Sequence, residues 1–234
     1  MVKFCRLELR TTDADAARAF YSKIFGHDQA VIWPLHEQAL ARGARPHWIG
    51  YLGVPDAERA IAAFVERGAT RLGPAPPTLE GGQAAVLRDP GGALLALSTP
   101  PSNANANANA NVEAAWHLLN TNDAARAMVN YHELFGWEIQ ERLEVPAQGV
   151  FHPFAWDVGA PSVGAITDIT GMPGRHPHWL FFFRIDALEP AIAATRAAGG
   201  LVLDPVVLAS GERVCVCDDP QGAAFALLER RPST

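Results

Sequence analysis

The stretch "LRTTDADAARAFYSKIFG" at residues 9–26 returns as "LNTNDAARAMVNYHELFG" at residues 119–136, without a gap and at an offset of 110. Each copy runs from an extended segment, through an aspartate, into an amphipathic stretch that ends at a glycine. Aspartate is a favoured residue at the start of a helix, and glycine is favoured just beyond its end. Each copy therefore predicts a strand followed by a helix.

Two more segments repeat in the same order. "RPHWIGYLGVPDAERAIAAFVERGAT" at 45–70 matches "HPHWLFFFRIDALEPAIAATRAAGG" at 176–200, and "AVLRDPGGALLAL" at 85–97 matches "CVCDDPQGAAFAL" at 215–227. Ordered repeats of this kind indicate a tandem duplication of a unit of about 115 residues. The offset grows from 110 to 131 between the first two repeats, so the second copy is longer after its first helix.

Local signals predict the ends of the helices and strands. We expect the helices to begin at Asp13, at Asp56, at Asn122 or Asp123, and at Asp186, and to stop at Gly26, Gly68, Gly136 and Gly199. The Asp-Pro-Gly-Gly and Asp-Pro-Gln-Gly sequences predict tight turns between two strands. Short strands and single helices without repeated parallel crossovers favour an α+β fold whose sheets are covered on one face.

A low-complexity segment, "PPSNANANANAN" at residues 100–111, separates the two copies. Alternating Asn and Ala after Pro-Pro cannot bury a useful face, so the segment is typical of an exposed linker. We therefore predict domains at residues 1–99 and 112–230, followed by a short tail at 231–234.

Bulk composition excludes several classes of function. The chain has 234 residues, 49% hydrophobic residues and a net charge of −6, which disfavours nucleic acid and anionic membranes as partners. The start, "MVKFCRLELR", lacks the apolar region of a signal peptide, and no run is long enough to span a bilayer. Cys5, Cys215 and Cys217 form no disulfide framework, which fits a reducing cytoplasm, and we expect Cys215 and Cys217 to be buried small hydrophobes.

The repeated motifs together resemble the vicinal oxygen chelate superfamily, which includes glyoxalase I, bleomycin and fosfomycin resistance proteins and extradiol dioxygenases. The resemblance covers nearly the whole chain except residues 100–111, and "PHW" in both halves is similar to a two-domain, glyoxalase-like subgroup. It implies a tandem fold of paired βαβββ modules, four in all, with cup-shaped sheets covered by helices on the outer face.

The resemblance also implies where a divalent metal would be held in each cup. The positions that can be placed fall on Arg6, Ile49 and Ala96 in the first half, and on Trp116, Leu180 and Ala226 in the second. None offers the imidazole or carboxylate that such metals take, and arginine does not lose its charge. A fourth position in each half cannot be placed. We therefore expect no metal and no cofactor.

Several histidines lie close to these positions. His117 follows Trp116 and should face the helices, because strand side chains alternate, unless a bulge turns it toward the cup. His178 and its equivalent His47 lie two residues before Leu180 and Ile49, at the rim of each cup. His176 is expected at the surface.

Strand alternation predicts which side chains face each cup. In the first half they are Arg6, Glu8, Arg10, His47, Ile49 and Tyr51. In the second half they are Trp116, Leu118, Asn120, His178, Leu180, Phe182, Arg184, Ala224 and Ala226. The first set suits either a charged ligand site or a buried ion network. The second set suits a largely apolar ligand with one acidic or carbonyl group, held by Asn120 and Arg184, although a filled core would read the same way.

Three functions follow from these patterns. The first is a metal-independent protein that binds a small, largely apolar organic molecule, mainly in the second domain. The second is a metal-dependent lyase or dioxygenase with an unrecognised set of ligands, through His117 or His178. The third is a metal-free enzyme that uses His47, Glu8 or Tyr51 for acid–base chemistry. The two halves would pair within one chain as a pseudo-dimer, or the protein would form a homodimer.

Overall fold

The computed structural model describes residues 1–25, 30–74, 84–99, 113–145, 148–208 and 211–229. The predicted linker at 100–111, the tail at 231–234 and the predicted helix stop at Gly26 lie outside these ranges. The five helices that it describes are α1 (Ala14–Phe25), α2 (Glu37–Ala41), α3 (Ala57–Glu66), α4 (Ala124–Phe135) and α5 (Leu188–Ala197).

The strands are numbered in chain order. In the first half they are β1 (Phe4–Thr11), β2 (Val31–Pro34), β3 (His47–Gly53), β4 (Thr70–Pro74), β5 (Ala84–Arg88) and β6 (Leu94–Ser98). In the second half they are β7 (Ala114–Thr121), β8 (Glu138–Ile139), β9 (Leu143–Val145), β10 (Gly149–Ala155), β11 (Gly164–Asp168), β12 (His178–Ile185), β13 (Leu201–Val202), β14 (Val206–Val207), β15 (Arg213–Asp218) and β16 (Ala224–Glu229). The predicted α+β class is confirmed.

The chain divides into two compact units, and each takes segments from both sequence halves. Unit 1 comprises Met1–Arg6, Gly50–Ala106 and His117–Trp179, and unit 2 comprises Leu7–Ile49, Asn107–Trp116 and Leu180–Thr234. Repeated modules from opposite halves are therefore grouped together. The predicted domain boundary near residues 100–111 stays a prediction.

Unit 1 contains two runs of paired strands. In the first, β3 is parallel to β6, and β6, β5 and β4 follow as antiparallel neighbours. In the second, β7 is parallel to β11, β11 is antiparallel to β10, and β8 and β9 both pair with β10. Helices α3 and α4 pack in this unit, where Phe64 lies edge-on to Tyr131 and Phe135.

Unit 2 contains the other two modules. Strand β1 is parallel to β2, and β12 is parallel to β16 with Phe182 opposite Ala226. Strand β15 pairs antiparallel with β16 on one side and with β13 and β14 on the other. The ring of Phe20 from α1 packs edge-on against Phe225 of β16, so aromatic side chains fill the space behind the strands.

The first and third modules differ in length. In both modules a later strand pairs in parallel with the first strand: β2 pairs with β1, and β11 pairs with β7. Before that later strand, the third module adds β8, β9 and β10. Within residues 30–46 the first module shows a single strand and the short helix α2, so its described residues show fewer strands than the expected βαβββ pattern. These strands lie in the segment where the repeat offset grows from 110 to 131.

Three predicted helix caps are confirmed. The Oδ1 atoms of Asp13, Asp56 and Asp123 accept hydrogen bonds from backbone N–H groups three residues later, at 2.9, 3.0 and 2.9 Å. Each carboxylate satisfies a donor that the first helical turn leaves unpaired. Gly136 ends α4 in the left-handed region, with φ of 76°.

The prediction of a cap at Asp186 was wrong. The residue at the N-cap of α5 is Ala187, whose side chain makes no capping hydrogen bond. Ala187 lies 131 residues after Asp56, the same offset as the "PHW" repeat, so Asp186 is one residue too early. Glu229 supplies the missing acceptor, because its Oε1 takes the N–H of Leu188 at 2.9 Å.

In the part of the chain that the structure describes, no helix combines the length and the apolar character that crossing a membrane requires.

Candidate ligand-binding site

Each unit contains a buried tyrosine–aspartate pair that fixes a hairpin turn. In unit 1 the hydroxyl of Tyr131 donates to Asp89 Oδ2 at 3.1 Å, and in unit 2 Tyr21 donates to Asp219 Oδ2 at 3.1 Å. The other oxygen of Asp89 accepts the N–H of Ala93 across the turn at 2.8 Å. Burial raises the pKa of Asp89 to about 6. These pairs hold the turns of the β5–β6 and β15–β16 hairpins.

His117 lies in an aromatic cluster of unit 1. Its ring stacks on Phe4 with 5.1 Å between centroids and meets Trp156 edge-on at 5.1 Å. Its Nδ1 is 2.8 Å from the carbonyl oxygen of Val163, to which it donates. Burial lowers its pKa to about 4. The β7–β11 register runs without a break from His117 onward, so these strands carry no bulge that would reorient the ring.

The structure brings together Asn120 and His178, two residues predicted for the second cup. The Nδ2 atom of Asn120 lies 3.5 Å from Nε2 of His178. The His178 Nδ1 lies 2.8 Å from the carbonyl oxygen of His176. A carbonyl only accepts, so Nδ1 carries the hydrogen and Nε2 has the lone pair. Burial lowers the pKa of His178, which favours this neutral form. Asn120 is buried and His178 is half-buried.

The backbone carbonyl of His176 orients the ring of His178, a role that could not be predicted from the residue type alone. Its exposed ring lies 4.9 Å from that of His178, as expected for a surface residue, while its carbonyl fixes the tautomer of His178. The same arrangement occurs in unit 2, where Nδ1 of His47 donates to the carbonyl of Arg45 at 2.7 Å. The repeated x-Pro-His pattern was the signal that could have revealed it.

The equivalent residues in the first half are a histidine and an arginine. His47 corresponds to His178 and Arg10 to Asn120. Burial is the main cause that lowers the pKa of His47, and the positive charge of Arg10 contributes. Arg10 forms an ion pair with the buried carboxylate of Glu8. This part of unit 2 is therefore an ionic cluster beside a neutral imidazole.

The residues at the superfamily's metal positions do not fit a metal. Ile49, Ala96, Leu180 and Ala226 are buried and carry no donor atom, and Arg6 is a fixed cation. Across the described ranges, no group of three His, Cys, Asp or Glu side chains is close enough to share an ion. Because the fourth position of each half is not placed, the loss of the metal stays a prediction.

The other residues predicted for the second cup lie on separate strands. Leu118 and Trp116 are half-buried on β7, and Leu180 and Phe182 are buried on β12. Arg184 is exposed and lies 3.9 Å from the carboxylate of Glu212, so it already has an acidic partner. That these residues share one cup with Asn120 and His178 stays a prediction.

The cysteine pair of β15 is buried, as expected for small hydrophobic residues. The sulfur atoms of Cys215 and Cys217 lie 3.9 Å apart, and Cys215 donates to the carbonyl of Leu203 at 3.1 Å. Burial raises the pKa of both thiols, which disfavours the reactive thiolate.

Known proteins are similar to this chain in sequence. Residues 116–228 match the family model of the glyoxalase-like domain. Over 97% of the chain and 94% of the relative, the sequence is 28% identical to a protein of Mycobacterium tuberculosis named "Putative glyoxylase CFP32", and equally to its Mycobacterium bovis counterpart.

Two solved structures are similar across nearly the whole chain. The 2,3-dioxygenase LapB from Pseudomonas sp. KL28 superposes with a TM-score of 0.62 at 16% identity, covering 97% of this chain and 91% of that one. The Mn(II)-bound glyoxalase from Novosphingobium aromaticivorans gives a TM-score of 0.60 at 14% identity, covering 97% and 81%. The second half thus matches the glyoxalase-like domain model, and these similarities support the resemblance to the vicinal oxygen chelate superfamily.

Proposed function

We propose that this protein binds a small, largely apolar organic molecule in the second half of the chain, without the metal of its superfamily. The Asn120–His178 pair carries the proposal, because it sets an amide donor beside an imidazole acceptor. A ligand carbonyl would accept from Asn120, and an adjacent hydroxyl would donate to His178. The preferred ligand therefore bears a carbonyl and a hydroxyl on neighbouring carbons.

The pair is prepared for this role before any ligand arrives. The His176 carbonyl holds one tautomer of His178, and burial keeps the ring neutral near pH 7. Each new hydrogen bond contributes only about 1 kcal/mol net, so apolar contact must supply most of the affinity. An aromatic ring that buries about 150 Å² would add about 4 kcal/mol. The predicted residue of the second cup that lies in the same unit as the pair is Leu118, two residues before Asn120 on β7.

A thermal-shift titration tests the proposal. Protein dialysed against EDTA is titrated with 2-hydroxyacetophenone, which joins a phenyl ring to adjacent carbonyl and hydroxyl groups. The melting temperature of the parent should rise with ligand concentration, because the ligand binds the native state. Asn120→Leu should reduce the rise, because losing about 1 kcal/mol or more weakens binding about 5-fold or more. Asn122→Leu, the same change at an exposed neighbour, should preserve it. A parent protein that shows no shift contradicts the proposal.

The alternative is a metal-dependent lyase or dioxygenase. The names of the relatives favour it, since they include a glyoxylase, a Mn(II)-bound glyoxalase and a 2,3-dioxygenase. Elemental analysis of the purified protein separates the two functions. One divalent metal per chain, together with loss of ligand binding after chelation, would favour the alternative.

A further inference from the structure

Two cysteines of β15 lie side by side in the interior of unit 2. Residues two apart on a strand project from the same face, and the sulfur atoms of Cys215 and Cys217 are 3.9 Å apart. Both residues are only 1% exposed, and neither forms a disulfide. The pair therefore places two soft donor atoms within reach of a single ion.

The neighbouring strands hold the two cysteines in place. Cys217 lies opposite Val202 of β13 on one side and opposite Phe225 of β16 on the other. Because β15 has a strand on each side, the sheet fixes the spacing of its side chains. The thiol of Cys215 donates to the carbonyl oxygen of Leu203 at 3.1 Å, and Leu203 is 63% exposed. The sulfur pair is thus buried but lies directly beneath a residue at the surface.

The distance between the sulfur atoms suits one bridging metal ion better than a disulfide. A disulfide bond is about 2.0 Å long, so its formation would require a large movement of both side chains. Two metal–sulfur bonds of about 2.3 Å each can span the observed 3.9 Å with a bent arrangement at the metal. Among the described residues, no third His, Cys, Asp or Glu side chain joins the pair. Structural zinc, which takes four ligands, is therefore a poor match for this pair.

We propose that Cys215 and Cys217 bind one Cu(I) ion as a pair of thiolates. Soft thiolate ligands select Cu(I), and two of them are enough to hold this ion. Binding breaks two S–H bonds, forms two Cu–S bonds and releases two protons, while the copper stays monovalent and neither sulfur is oxidised. This site is separate from the Asn120–His178 pair and does not depend on the proposed function.

The charges around the pair favour an ion that binds sulfur strongly. Burial is the largest cause that raises the pKa of both thiols, so neither is a free thiolate near neutral pH. Two thiolates with one Cu(I) carry a single negative charge, whereas two bare thiolates would carry two. The positive charge of Arg196 on α5 favours this complex, and the carboxylates of Asp204 and Asp218 oppose it. Only an ion whose bond to sulfur displaces a proton should therefore bind.

Anaerobic titration of the reduced full chain with the coloured Cu(I) complex of ferrozine tests the inference. The parent should take one Cu(I) per chain from the chelator, and the absorbance of the complex should fall. Cys215→Ser and Cys217→Ser should each leave the colour unchanged, because one thiolate cannot compete with a chelator that supplies several donors. Cys5→Ser is the matched control, since it removes the remaining thiol of the chain, and it should take up copper as the parent does.

X-ray absorption at the copper edge of the loaded parent adds a readout that needs no variant. It should show two sulfur neighbours and no nitrogen or oxygen neighbour. The inference is wrong if the parent leaves the ferrozine colour unchanged, if a folded serine variant at position 215 or 217 takes up copper as the parent does, or if Cys5→Ser loses the uptake. If the serine variants at 215 and 217 do not fold, the absorption spectrum decides, and copper without two sulfur neighbours would overturn the inference.

Discussion

Two buried groups in unit 1 should oppose each other when the protein is acidified. Burial lowers the pKa of His117 from 6.5 to about 4 and raises that of Asp89 from 3.8 to about 6. His117 therefore stabilises the native state above pH 6.5 and loses that contribution as the pH falls toward 4. Asp89 behaves in the opposite way, because its contribution is complete below pH 3.8 and is lost as the pH rises through 6.

The two groups contribute similar free energies because their pKa shifts are similar in size. One pKa unit corresponds to about 1.4 kcal/mol, so acidification from pH 7.5 to 4 costs about 3 kcal/mol through His117 and returns about 2 kcal/mol through Asp89. Together they leave a net change of only about 1 kcal/mol. Replacing either group should expose the dependence of the other.

Urea unfolding at pH 7.5 and pH 4 checks this balance. Asp89→Asn keeps an acceptor for Ala93 and removes the titration, so the variant should lose about 2 kcal/mol more than the parent on acidification. His117→Asn retains a donor toward the Val163 carbonyl, and it should instead gain about 3 kcal/mol relative to the parent. Other titrating groups are common to all three proteins and cancel in the differences. Variants whose pH dependence runs parallel to the parent would refute the reasoning.

Three structural substitutions give further tests, each read by urea unfolding. Gly164→Ala would place a methyl group against the immovable carbonyl oxygen of His117, so we expect a loss of about 3 kcal/mol or failure to fold. Tyr21→Phe removes the donor to buried Asp219, and the unfolding free energy should fall by about 1–3 kcal/mol. Glu229→Ala removes the acceptor at the start of α5 and should cost about 1 kcal/mol.

Matched controls separate these effects from general sensitivity to mutation. Gly73→Ala introduces the same methyl group where no heavy atom lies within 4 Å, and it should change stability far less than Gly164→Ala. If the two alanine variants unfold at the same urea concentration, steric overlap is not the cause. A Tyr21→Phe protein as stable as the parent would show that the hydrogen bond to Asp219 contributes nothing net.

Features that depend on neighbouring residues could be predicted from the sequence. The caps at Asp13, Asp56 and Asp123 follow from local hydrogen bonds, and they are confirmed. The cap of α5 could not be found in the same way, because its acceptor is Glu229, which lies 41 residues from Leu188.

Long-range contacts account for the other features that could not be predicted from the sequence. The bond between Tyr21 and Asp219 joins residues 198 positions apart, and no local pattern points to it. The repeat predicted Asn120 and His178 as neighbours of one cup, and they meet at 3.5 Å. The tautomer of His178 was not predictable, because it depends on a backbone carbonyl whose direction only the folded chain defines.

The central claim is that the second half binds its ligand without a metal, through Asn120 and His178. Calorimetric titration of EDTA-dialysed protein with 2-hydroxyacetophenone, with elemental analysis of the same sample, tests it most directly. We predict saturable binding of one ligand per chain in a sample without stoichiometric divalent metal, and binding about 5-fold or more weaker in Asn120→Leu. Binding that appears only after a divalent metal is restored, or that is unchanged in Asn120→Leu, would contradict the claim.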